Sequence, residues 1–153
     1  MDLSPGGVTL MAEEIKSAEA HQRVSEQGWL YIDVRTQQEF EAGHPAGSQN
    51  IPFALIGAGG MMPNPMFLSV MDKLFQHDSK LVIGCASGGR SARACQMLEQ
   101  SGFSHLADVA GGYGGQRDHV GRVVVAGWAD QGLPTSRDSG DGDYQALLAK
   151  ARS

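Results

Sequence analysis

The sequence predicts an α/β fold, in which strands alternate with helices around a parallel sheet. Three observations carry this. Trp29-Leu30-Tyr31-Ile32-Asp33-Val34 is apolar on both faces, as a strand buried inside a parallel sheet must be. It runs directly into Thr36-Gln37-Gln38-Glu39, where Thr36 and Glu39 make a capping box, so a helix starts there. The same order recurs at Leu81-Val82-Ile83-Gly84, which passes through a loop into Ser91, Ala94, Cys95 and Leu98, spaced i, i+3, i+4 and i+7 as on one helix face.

Composition sets the outer bounds. At 153 residues, one domain is the default, and the chain can bury a real core. A hydrophobic share of 41% and a charged share of 19% describe an ordinary soluble globular protein. The formal net charge of −5 leaves no basic surplus for phosphates, which argues against nucleic acid as a partner. No run approaches a membrane span, and Met1-Asp2-Leu3-Ser4-Pro5 lacks the basic and apolar regions of a signal peptide. Two cysteines are too few for a disulfide scaffold or a tetrahedral zinc site, so no metal is expected. A cytoplasmic, reducing compartment fits a single working thiol.

In chain order, Gly6 to Leu10 fits a short edge strand, and Met11 to Ala20 favours helix. The strand 29–34 and its capped helix follow. Asp33 and Arg35 stand at the C-terminal end of that strand, where open α/β sheets place their sites. Asp33 reads equally as a carboxylate that staples the loop. Gly43-His44-Pro45-Ala46-Gly47 is a turn, with His44 a structural hydrogen-bonder, and Gln49-Asn50-Ile51 is a short strand ended by Pro52. Leu55 to Pro63 reads as a surface loop. Asn64-Pro65 reads as an N-cap and first helical residue, ahead of Phe67, Val70, Met71 and Leu74 on one helix face. The methionines read as gap-filling core. Gly102 stops the helix after Ser91, and His105 to Val109 is the next strand. Residues 114–127 fit a small hairpin or an irregular insertion, and Trp128 to Pro134 a helical turn. Ser136 to Asp143 is polar and linker-like, with a short terminal helix after it.

The chemistry concentrates at Cys85-Ala86-Ser87-Gly88-Gly89-Arg90-Ser91. A thiol here stands where a strand ends and a helix begins. The unpaired N–H groups of a helix start stabilise negative charge, and Arg90 adds a full positive one. Both favour thiolate over thiol. Gly88 and Gly89 let the backbone curl so that several N–H groups converge on one point. A buried packing cysteine would need neither the glycine pair nor the arginine. Cys95, on the following helix, reads as such a packing residue, with a resolving cysteine as the alternative.

These pieces, taken in order, resemble the single-domain rhodanese family of thiosulfate sulfurtransferases. The matching segments are Asp33-Val34-Arg35-Thr36 with Glu39-Phe40; Gly43-His44 through Asn50-Ile51-Pro52; Cys85 to Ser91; Gly102-Phe103; Ala110-Gly111-Gly112-Tyr113; and Gly132-Leu133-Pro134. The loop is similar to that of the plant and bacterial type, cysteine, two variable residues, then Gly-Gly-Arg-Ser. The resemblance covers about residues 6–135, leaving 136–153 as polar linker and short C-terminal segment. It implies a five-stranded parallel sheet with helices on both faces. It makes Cys85 a sulfur carrier that takes sulfane sulfur from a donor such as thiosulfate and passes it to cyanide or a thiol, a protein thiol included. Arg90 would bind the donor's sulfonate or balance the persulfide, and no cofactor is implied. Ala86 and Ser87 are neutral where some thiosulfate-specific relatives carry basic residues.

Two rivals remain. A non-catalytic rhodanese-like module would bind a partner, although such modules often lack the cysteine. A phosphatase of the Cdc25 or arsenate-reductase class needs five residues between cysteine and arginine; here only four intervene, Ala86 to Gly89, which shrinks the cradle for a tetrahedral oxyanion.

Overall fold

Strand β1, Glu13–Ile15, opens the part of the chain that the computed structural model describes, residues 12–138 and 140–153. The edge strand expected at Gly6 to Leu10 lies outside those residues. The helix expected from Met11 starts later, with α1 at Ser17–Glu26. Tertiary pairing overrides helix propensity: Glu13 and Glu14 stay exposed while Ile15 is buried, so a strand costs these side chains little.

The chain continues through β2 (Leu30–Asp33), α2 (Gln37–Ala42), β3 (His44–Pro45), β4 (Gln49–Asn50), β5 (Ala54–Gly57) and β6 (Gly60–Pro63). Then come α3 (Phe67–Leu74), β7 (Lys80–Gly84), α4 (Gly89–Gln100) and β8 (His105–Val109). A hairpin of β9 (Gln116–Arg117) and β10 (Val123–Val125), then β11 (Thr135–Ser136) and α5 (Tyr144–Arg152), complete it. Five strands form one parallel sheet in the order β1-β8-β7-β2-β4, giving the α/β fold with the parallel five-stranded sheet.

Alternation along the strands feeds two cores. Ile32, Leu81, Ile83 and Leu106 face α3, α4 and α5, where they meet Phe67, Met71, Leu98 and Leu147. Tyr31, Val82, Ala107 and Val109 face the other way, toward Ala20 of α1 and Trp128. Helices therefore cover both faces, as a parallel sheet requires. The capping box is present: Thr36 Oγ1 accepts from the Glu39 amide, and Glu39 Oε1 accepts from the Thr36 amide at 3.0 Å.

Three local expectations are corrected. Residues 54–63 are an antiparallel hairpin turning at Ala58-Gly59 rather than a loop, with Leu55 opposite Met62. Met61, Met62 and Met66 are 52%, 52% and 39% exposed, so they fill no core; Met71 does. Helix α3 starts at Phe67, although Asn64 Oδ1 accepts from the Met66 amide as a cap would; Asn64 Nδ2 donates to the Pro52 carbonyl and to Tyr144 Oη. After residue 136, α5 is capped by Asp143 and buries Tyr144, Leu147 and Leu148 against the sheet.

Candidate active site

Cys85 follows β7 at the C-terminal end of the sheet, where β2 also ends, since Asp33 pairs with Gly84. Gly84 is needed there: a Cβ would stand 2.0 Å from Tyr31 Oη. The segment after β8 grips the cysteine from the side. The Tyr113 amide donates to the Cys85 carbonyl at 2.7 Å, and the Gly114 amide to the Ala86 carbonyl at 2.8 Å. This approach needs Gly112, where a Cβ would lie 2.2 Å from the Cys85 carbonyl oxygen. The sequence placed Ala110 to Tyr113 in a loop but gave no sign of this clamp.

Cys85 is buried, 1% exposed. The Gly88 amide donates to Sγ at 3.0 Å, and the Cys85 thiol faces Ser91 Oγ at 3.5 Å. Gly88 holds φ +128°, a conformation L side chains rarely adopt, and α4 opens at the next residue, Gly89. The expected convergence of several amides reduces to this one among the described residues.

Arg90 is also differently placed. Its guanidinium grips Glu39 with two hydrogen bonds, Nη1 to Oε1 at 2.7 Å and Nη2 to Oε2 at 2.9 Å. The expected free cation beside the sulfur is thus half of an ion pair. Burial opposes the Glu39 charge, but the Arg90 bonds and the Thr36 amide outweigh it and hold the carboxyl at about 2. Ala86 and Ser87 fill the loop between cysteine and glycines, and the Ser87 carbonyl accepts from Gln116 Nε2 at 3.0 Å.

Asp33 and Arg35 staple the neighbouring loop. Arg35 donates to both Asp33 oxygens and to the Gly43 carbonyl, and its guanidinium carbon lies 4.3 Å from the centre of the Tyr113 ring. Burial would lower the Arg35 basicity, but the Asp33 contacts outweigh it and push it up. His44 stacks on Phe40 at 3.7 Å, with Nδ1 2.8 Å from the Phe40 carbonyl and Nε2 3.3 Å from that of Asp138. Cys95 is buried, and burial pushes its thiol far up. A cavity of ≈ 790 Å³ lies away from the sulfur, between His44, Gln49 and Lys150.

One site residue escaped the sequence reading. Asp108 Oδ1 accepts from Ser91 Oγ at 2.6 Å, directly behind the cysteine. The available signal was an acid inside the otherwise apolar strand Leu106 to Val109.

The family model described as "Rhodanese-like domain" matches residues 16–117, two thirds of the chain. The chain belongs to the rhodanese-like domain family. Among its relatives, thiosulfate sulfurtransferase 16, chloroplastic, of Arabidopsis thaliana is 40% identical over 71% of this chain and 80% of its own length. Rhodanese-like domain-containing protein 15, chloroplastic, also of Arabidopsis thaliana, is 39% identical over 59% of this chain; the match spans half of that relative. The crystal structure of Rv0390 from M. tuberculosis superposes with a TM-score of 0.70 at 23% identity, over 84% of this chain and all of that one. Sulfur transfer is thus an activity named within this rhodanese-like family. Among the described residues no helix is long and apolar enough to cross a membrane.

Proposed function

We propose that this chain is a sulfurtransferase that carries sulfane sulfur on Cys85. The Cys85 thiolate attacks the outer sulfur of a small anionic donor such as thiosulfate. A new S–S bond forms, the donor's S–S bond breaks, and sulfite leaves with the electron pair. Cyanide or a thiol, free or on a protein, then attacks the outer sulfur of the persulfide and returns the thiolate. The observation that carries this reading is the Gly88 amide aimed at Sγ across 3.0 Å, at the start of a helix of 12 residues. An N–H in that place stabilises an anionic sulfur whether thiolate or persulfide. Relatives named thiosulfate sulfurtransferase support it. Both cysteines are free, which suits a reducing compartment such as the cytoplasm; relatives named chloroplastic extend that to an organelle.

Intact mass after incubation with thiosulfate tests it. The parent should gain the mass of about one sulfur atom, and Cys85→Ser none, with its circular dichroism unchanged. Thiocyanate released by Cys85→Ser at the parental rate would overturn the mechanism. The burial of Cys85 favours one second reading, a partner-binding module. No mass gain with thiosulfate or any other sulfane donor would support that module.

A further inference from the structure

We propose that Asp108 is the proton acceptor for Cys85, reached through the Ser91 hydroxyl. The proposal rests on Cys85 acting as the nucleophile.

The three residues come from three separate elements. Cys85 ends the β7 run, Ser91 lies in the first turn of α4, and Asp108 stands in β8 opposite Ile83. The alternation that turns Ala107 and Val109 toward Trp128 turns Asp108 toward α4, in line with Leu106. A carboxylate at that register sits where the fold places apolar side chains, 9% exposed. Burying a charge there is costly unless it has partners. Its side-chain partner is Ser91, at 2.6 Å, and Ser91 Oγ faces the Cys85 sulfur at 3.5 Å. The Gly88 carbonyl, 3.1 Å from Ser91 Oγ, is the rival acceptor for the same proton, and the shorter contact is the one to Asp108.

The chain has two states of equal charge. In the first, Cys85 S–H donates to Ser91 Oγ, and Ser91 O–H donates to the Asp108 carboxylate. In the second, each hydrogen bond is reversed. The S–H bond breaks, its proton passes to Ser91 Oγ, and the Ser91 proton passes to Asp108 Oδ1. Thiol and carboxylate become thiolate and carboxylic acid, with no net charge gained and no proton released to water. The reversed chain then aims the Ser91 hydroxyl at the sulfur, beside the Gly88 amide. Once the acceptor has removed the outer sulfur, the proton can return along the same path. A thiol that is 1% exposed has little water to take its proton, so an internal acceptor answers a need of this site.

The surroundings suit a proton acceptor. The titratable groups around the chain are Glu14 of β1, Tyr31 of β2, and Cys95 and Arg90 of α4. Arg90 is committed to Glu39. Burial raises the Asp108 carboxyl, the Ser91 bond lowers it, and Glu14 raises it again; the net direction is up.

Asp108 acts through Ser91, so its test needs readouts that a packing role would not move. The rate of Cys85 carbamidomethylation by iodoacetamide, followed by mass from pH 6 to 10, needs no sulfur donor. Asp108→Asn should slow it at pH 7 by about tenfold or more, and the deficit should close as hydroxide replaces the lost base. Ser91→Ala should do the same, and the double variant should be no slower than either single one. Asp108→Glu should recover most of the rate. With thiosulfate and cyanide, kcat should fall while KM for thiosulfate holds. A parental rate and pH profile in Asp108→Asn would overturn the proposal, as would additive losses in the double variant. If Asp108→Asn does not fold, Ser91→Ala at the parental rate overturns it alone. Failure of thiosulfate to load the parent with sulfur, with the alkylation pattern intact, would instead strike only the sulfurtransferase reading.

Discussion

Arg90 and Glu39 are locked to each other by two hydrogen bonds of 2.7 and 2.9 Å, spanning 51 residues of sequence from the loop helix to the capping box of α2. The pair makes the cysteine loop and the end of β2 one unit. It also sets the local charge: neither ion acts on the sulfur undiluted. Removing Arg90 therefore does more than remove a cation. It leaves the Glu39 carboxylate unopposed near an anionic donor. We expect Arg90→Ala to lower kcat/KM for thiosulfate by about tenfold, and Arg90→Ala with Glu39→Gln to recover most of that loss. Steady-state kinetics on the two variants decide it; an equal loss in both would show that the carboxylate plays no part.

The same pair gives an acid signature. Glu39 ionises at about 2 in the fold, below its unfolded value. Its contribution is thus complete above the unfolded value of about 4.3 and fades as pH falls toward about 2. Because the pair is partly exposed, solvent screening limits it to about 1 kcal/mol. Urea midpoints of the parent and Glu39→Gln should differ at pH 6, and the gap should narrow steadily as pH falls toward about 2. A gap that persisted at low pH would assign the effect to helix capping instead.

Gly88 holds its amide on the sulfur only because glycine accepts φ +128°. Gly88→Ala should cost roughly 1–3 kcal/mol of strain or turn the amide away. Thermal melting reads the first outcome, and a loss of kcat with unchanged KM for thiosulfate reads the second. A variant equal to the parent in both would disprove the role of that N–H.

Asp33 and Arg35 are a buried pair, 1% and 5% exposed. Asp33→Asn strands the guanidinium and should cost about 3–5 kcal/mol. Double replacement by Asn and Met should be milder, since no charge is then left alone. Chemical denaturation of the two variants measures this; an exposed-type loss below about 1 kcal/mol would contradict the burial.

Cys95 should be silent. Native protein treated briefly with iodoacetamide should carry its label on Cys85 alone, and urea should expose the second thiol. Cys95→Ala removes one sulfur from the α4 core and should cost about 1–2 kcal/mol while leaving sulfur loading intact. Loss of loading in that variant would give Cys95 a chemical role.

The sequence conveyed the parallel strands, the capping box and the cysteine loop because each depends on a local pattern. Apolar runs, a Thr-to-Glu spacing and a Gly-Gly turn are written in neighbouring residues. It conveyed the partners poorly. Glu39 for Arg90, Asp108 for Ser91 and the Tyr113 amide for the Cys85 carbonyl are separated by 17 to 51 residues or meet across strands. The start of the chain misled for the converse reason. Glu13 and Glu14 suit a helix, and only the neighbour β8 makes them a strand. The methionines misled because apolar character alone does not say which face of a hairpin is covered.

The clamp on the Cys85 and Ala86 carbonyls has a chemical consequence. With its backbone pinned by the Tyr113 and Gly114 amides, the loop cannot swing the sulfur outward to meet a bulky reagent. Whatever reacts must thread in end-on, leading with a terminal sulfur or a slender nucleophile. A disulfide shielded by its own β-carbons on both flanks has no such tip. A sulfur held this deep is thereby protected against indiscriminate crosslinking.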